Sequence, residues 1–149
     1  MSLQKQVMEA MKVAMKEKDA NALEALRSVK SAILVAQTES GAKKDLTEEE
    51  EIKLVQKQVK QRKDSAAIYQ EQGREDLAEP ELKQAAIIEQ FLPEQLSEEE
   101  IAKVVDSIIE KTGANSMKDM GKVMGMANKE LAGQADGKTI SSIVKQRLA

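Results

Sequence analysis

Apolar residues recur along most of the chain at steps of three and four, the spacing of one face of an α-helix. Leu3, Val7, Ala10, Met11 and Ala14 set such a face over about residues 2–17. Asp19 or Asn21 offers a cap for a second helix with Ala22, Leu26, Val29, Ile33 and Ala36 inward, and Gly41 is its expected stop. Lys43-Lys44-Asp45 reads as loop. Thr47 with Glu50 makes a capping box, and the acids around it suit the positive end of a helix dipole. A long helix follows, about 48–72. Its stripe is Ile52, Val55, Val59, Arg62, Ala66 and Tyr69, spaced as in a seam against another helix, and Gly73 ends it.

Leu77, Leu82, Ala85, Ala86, Ile88, Glu89 and Leu92 continue the pattern, with Pro80 expected to begin that segment or kink it. Pro93 marks the boundary between an N-terminal helical domain, 1–93, and a three-helix tail domain, 94–149. Ser97 and Glu100 form a second capping box, with a staple between Leu96 and Ile101. The first tail helix, about 98–111, turns Ile101, Val104, Val105 and Ile108 inward and stops at Gly113. The second starts near Ser116 and carries Met117, Met120, Val123, Met124, Ala127 and Leu131. Gly133 to Gly137 is a loop, and the last helix, about 138–148, buries Ile140, Ile143, Val144 and Leu148. The fold class is all-α.

Composition narrows the chemistry. The 149 residues include 33% charged and 41% hydrophobic positions, but the only aromatics are Tyr69 and Phe91, so the core must be aliphatic with methionine as filler. There is no histidine and no cysteine. That excludes thiolate nucleophiles, Ser–His and Cys–His couples, His/Cys zinc sites and disulfides. No metal or other cofactor is expected. The start of the chain is charged and amphipathic rather than a signal peptide, and no apolar run is long enough to span a membrane, which leads to the expectation of a cytoplasmic protein with no membrane role.

Charge is unevenly placed. From Met117 onward Lys118, Lys122, Lys129, Lys138, Lys145 and Arg147 face only Asp119, Glu130 and Asp136, so a tail of +3 follows a body of −6 within a net charge of −3. Lys118 and Lys122 are four apart and share a helix face. Residues 133–138 open onto a helix N-terminus that can receive a phosphate, although Asp136 competes as a cap. Gly121 and Gly125 in a helix imply that another backbone, or something external, comes close, and close helix packing is the expected cause. The acid runs Glu48–Glu51 and Glu98–Glu100 follow capping hydroxyls and are read as structural rather than as metal ligands or catalytic pairs. Arg62 sits in the seam of the long helix. Either its head pairs with an acid across that seam, or it is a phosphate or partner contact.

Several segments together resemble the YqeY family of small bacterial proteins. They are Lys60-Gln61-Arg62-Lys63-Asp64-Ser65, Gly73-Arg74-Glu75-Asp76-Leu77-Ala78-Glu79, and Phe91-Leu92-Pro93-Glu94-Gln95-Leu96-Ser97-Glu98-Glu99-Glu100-Ile101. Asp119-Met120-Gly121-Lys122-Val123-Met124-Gly125 and Gly133-Gln134-Ala135-Asp136-Gly137-Lys138 complete the set. The resemblance covers essentially the whole chain. The family in turn resembles the C-terminal helical and tail domains of GatB, a subunit of the glutamine-dependent tRNA amidotransferase. That implies a helical N-terminal domain and a three-helix tail, and in the larger subunit the tail meets the outer corner of tRNA while a separate cradle domain does the chemistry. Carbon–nitrogen ligase activity is then inherited by similarity only, and the chain is not expected to be an enzyme by itself. Lys122 and Lys138 fall inside the shared motifs as RNA-facing candidates, and Lys118, Lys129, Lys145 and Arg147 join them on charge. Asp136-Gly137 stands where the amidotransferase tail carries Asn-Pro, and Pro80 interrupts a helix expected to be continuous.

Two readings stand. One is a non-catalytic tRNA- or RNA-binding accessory protein linked to aminoacyl-tRNA amidation or translation. The other is a helical protein-interaction module with no nucleic-acid role, docking through the long helix and Arg62.

Overall fold

A computed structural model describes residues 2–39 and 44–149; the expected stop at Gly41 and the loop residue Lys43 lie outside them. The described residues form helices and one 3-10 turn, with no strand, so the chain is all-α. It divides into two compact units, 1–92 and 93–149.

In the first unit α1 (Leu3–Glu17) and α2 (Ala20–Thr38) form a hairpin, as do α3 (Glu48–Glu71) and α4 (Glu75–Glu89). The helices begin where side-chain oxygens are available. Ser2, Asp19 and Thr47 cap α1, α2 and α3, and at Thr47 both halves of the capping box are formed. Lys18 ends α1 in the left-handed region and Gly73 does the same after α3. The core joins Leu3, Val7, Leu26, Val29, Ile33, Val55, Val59 and Ile88, with Phe91 and Leu92 packed against it. Tyr69, half-buried, lies near the C-terminal end of α3.

Two expectations about α4 are corrected. Pro80 does not start the helix, because α4 runs through it from Glu75. As the sixth residue of α4 it denies the Asp76 carbonyl an intrahelical donor, while its own carbonyl accepts from Asn21 Nδ2 at 3.3 Å. Leu77 and Leu82 are exposed, at 37% and 41% of their surface, because the buried face of α4 is Ala78, Gln84, Ala85 and Ile88.

The second unit packs α5 (Glu98–Thr112), α6 (Met120–Glu130) and α7 (Gly137–Leu148) around Ile101, Val105, Ile108, Val123, Leu131, Ile140 and Val144. Ser97 accepts from the Glu100 amide at 3.2 Å, but the return bond from the Ser97 amide to the Glu100 carboxylate that would complete the box is not made. Gly113 closes α5 in the left-handed region. Ser116 starts a 3-10 turn, Met117–Asp119, before α6 proper, and Met117 is exposed rather than inward, because that short turn points it away from the core. The segment before α5 is pinned to the loop after α6: the Leu96 amide donates to the Gln134 carbonyl at 2.9 Å and Gln95 Nε2 to the Gly133 carbonyl at 2.6 Å.

Candidate nucleic-acid interface

The basic residues of the second unit fall into three places. Lys122 and Lys129 lie on α6 and are exposed. Lys118, also exposed, is in the 3-10 turn leading into that helix, so its four-residue spacing to Lys122 does not lie within one α-helix as expected. Lys138 and Lys145 are seven apart on α7, which puts both on its outward side, away from Ile140, Ile143 and Val144. Arg147 stands apart from the rest: its Nε lies 3.4 Å from Asp106 Oδ1, tying the last turn of α7 to α5. Among the described residues, none of the five lysines pairs with a carboxylate.

The glycines of α6 depart from expectation. A Cβ at Gly121 or Gly125 would meet nothing within 4 Å, so no neighbouring helix packs there. Helical spacing places both on the face opposite buried Val123 and Ala127, beside Lys122 and Lys129. The result is a strip of bare helix backbone, open to solvent and edged with ammonium groups.

The loop at 133–137 behaves differently. Asp136 Oδ1 accepts from the Thr139 amide at 2.7 Å, so the N-terminus of α7 already holds its own carboxylate. A cavity of ≈ 320 Å³ lies beside it, lined among others by Ser97, Glu98, Ile101, Asp136 and Thr139. Its two carboxylates make it a poor receptacle for phosphate. The positive surface lies instead along α6.

Arg62 is bound into the seam of the first unit. It is half-buried, with Nη1 donating to the Gln58 carbonyl at 3.1 Å and to Gln58 Oε1 at 2.8 Å, and Nε to Gln84 Oε1 at 3.1 Å. Gln84 Nε2 passes the chain on to Asn21 Oδ1 at 2.8 Å, and Ser28 Oγ donates to Gln58 Oε1 at 3.3 Å. Burial pulls the guanidinium below its ordinary value, while Glu81 and Glu24 act in the opposite direction. Its hydrogen-bond partners are amides rather than the acid expected across the seam. Gln58, Gln84 and Asn21 leave no periodic signature in a sequence, so only their buried helix positions could have flagged them. Arg62 thus serves the seam of α3 with α2 and α4.

No helix of the described residues is long and apolar enough to cross a membrane, and no group of three or more acidic side chains among them could hold a metal ion. A family model described as Yqey-like protein matches residues 4–148. The chain belongs to that family. Among relatives of this Yqey-like chain, a subunit of the glutamyl-tRNA(Gln) amidotransferase of Thermococcus gammatolerans is 32% identical over 84 residues, 54% of this chain and 13% of the relative. The corresponding protein of Methanobrevibacter smithii is 40% identical over 57 residues, 36% of this chain and 9% of its own. Altered inheritance of mitochondria protein 41, mitochondrial, of Clavispora lusitaniae is 37% identical over 111 residues, 72% of this chain and 63% of its length. The Yqey-like chain thus spans less than two thirds of each of these relatives, and only about a tenth of the two amidotransferase proteins.

Proposed function

We propose that this protein is a non-catalytic accessory module of tRNA amidation, whose second unit docks on the sugar–phosphate backbone of a folded tRNA. The observation that carries this reading is the open strip of α6. Gly121 and Gly125 let a phosphodiester strand approach the helix backbone, and Lys118, Lys122 and Lys129 neutralise its charge. Lys138 and Lys145 extend the positive surface along α7. The amidotransferase relatives, named for glutamyl-tRNA(Gln), support the choice of RNA class. With no aromatic residue in the second unit, contact is through backbone and shape rather than base stacking. A chain without histidine or cysteine lacks the usual nucleophile–base couples, so bond making is assigned to the proteins it accompanies.

The test is a titration of purified tRNA against the full chain over a range of salt. Affinity should fall linearly on a log–log plot, and Lys122→Glu with Lys138→Glu should reduce the slope by roughly 2. Absence of binding at low salt, or an unchanged slope in the double variant, would overturn the reading.

A further inference from the structure

Helices α1 and α2 expose a second surface, separate from the one they bury. Met8, Met15 and Leu34 remain 45%, 54% and 43% exposed. They do not stand alone. Along α1 the sequence Lys5, Met8, Lys12, Met15 steps by three, four and three, and along α2 Leu23, Arg27, Lys30, Leu34 steps by four, three and four. Each is a stripe on one side of its helix with apolar and cationic residues interleaved.

The two stripes belong to one face. The other edge of α2 is occupied by α3 and α4, through Ser28 on Gln58 and Asn21 on Pro80, so the Leu23–Leu34 edge is the one beside α1. Met11 and Leu23 at the inner margin of these stripes are partly buried against the same core. Among the described residues, Lys5, Lys12, Arg27 and Lys30 form no ion pair. Glu24 of α2, exposed and three positions before Arg27, shares that side by helical spacing, so the four cations face it and Glu9 as the acids among them. By helical spacing Glu9 shares the outward side of α1, where the cations outnumber it. Positive charge and apolar surface thus occur together on the outer side of the hairpin, within a unit that is acidic as a whole.

We infer that the outer face of the α1–α2 hairpin docks an acidic amphipathic helix of a partner protein. Its glutamates or aspartates meet the four cations, and its apolar ridge lies on Met8, Met15 and Leu34. Unbranched methionines adapt to such a ridge. A phosphate backbone offers nothing for the methionines and leucines to cover. A bilayer needs a wider apolar face than one that alternates with cations on a helix already packed against its core.

The experiment uses the full chain and a panel of synthetic acidic helical peptides with glutamates flanking a leucine ridge, followed by methyl and amide NMR shifts. Shifts should centre on Met8, Met15 and Leu34. A peptide of the same composition with its leucines scattered around the helix should bind at least roughly tenfold more weakly, the loss expected when an apolar ridge is dispersed. Lys12→Glu with Arg27→Glu, both exposed, should abolish binding while leaving the helical circular dichroism unchanged. Equal binding of the scattered peptide, shifts elsewhere on the chain, or no binding by any of the panel overturns the inference. So does stronger engagement of the same residues by phosphatidylglycerol vesicles or by tRNA. Loss of tRNA binding through the second unit leaves this result untouched, because the two are read on different residues.

Discussion

The backbone amide of Leu3 donates to Oε2 of Glu51 at 2.7 Å, so the first turn of α1 is closed by a carboxylate from α3. The first turn of α1 carries no acid of its own. A negative group at a helix N-terminus, bonded to a free amide, stabilises both by charge and by hydrogen bonding. Glu51→Ala should lower the stability of the chain by about 1 kcal/mol in urea denaturation. Glu48→Ala, which removes no such tertiary bond, should change it by only a few tenths. Equal effects would show that the carboxylate acts through α3 alone.

Arg62 holds three helices by neutral amides, and its removal leaves Gln84, 8% exposed, with an unsatisfied oxygen. Arg62→Ala should cost about 2–3 kcal/mol in denaturation experiments. Arg62→Lys should recover only part of this, because an ammonium cannot fork to Gln58 and Gln84 together. Full recovery by lysine would mean that the geometry of the fork is irrelevant.

The open strip of α6 predicts opposite changes in stability and binding. Since a Cβ at Gly125 meets nothing, Gly125→Ala should stabilise the chain by up to about 1 kcal/mol, with a smaller gain for Gly121 in the first turn. The same variants should weaken tRNA binding in filter or fluorescence titrations by raising a side chain where the strand approaches. Gly113→Ala, at a φ of 68°, should instead destabilise by about 1–2 kcal/mol. Alanine at 125 that leaves tRNA affinity intact would remove the α6 strip from the interface.

Acid should loosen α3 from its start. The Glu50 carboxyl is held below its ordinary value mainly by the bond from the Thr47 amide. A depressed folded-state value means that this contribution is complete above the ordinary carboxylate range and is lost as pH falls through the lowered one. Asp76 follows the same rule through its two bonds from Arg74 at 3.0 and 2.9 Å. Amide exchange at Thr47, corrected for its intrinsic pH dependence, should therefore accelerate on acidification and stay flat between neutral pH and the carboxylate range. Glu50→Gln should flatten the acid limb.

What the sequence discloses here follows from how local each signal is. The capping hydroxyls of Thr47 and Ser97, the acid at Asp136 and the glycine at 113 act within one turn, and helix limits read from them agree with the structure to a residue or two. Periodicity turns Leu77, Leu82 and Met117 inward, yet it cannot say which side of α4 its neighbours cover or that α6 is entered through a tighter 3-10 turn. Glu51 has the look of a local acid run, although its partner is 48 positions away. Gly121 and Gly125 suggest close helix packing in sequence, yet the structure places no neighbour against either. The hub around Arg62 is half visible, since a cation in a seam is conspicuous and the glutamines that satisfy it are not.

Tyr69 and Phe91, the two aromatic rings, both belong to the first unit. With no tryptophan in the chain, ultraviolet emission reports on residues 1–92 alone, while helical ellipticity sums over everything. A melt followed by both signals therefore separates the halves without cutting the polypeptide. Coincident midpoints mean one cooperative transition, and divergent ones mean that the tail carries its own.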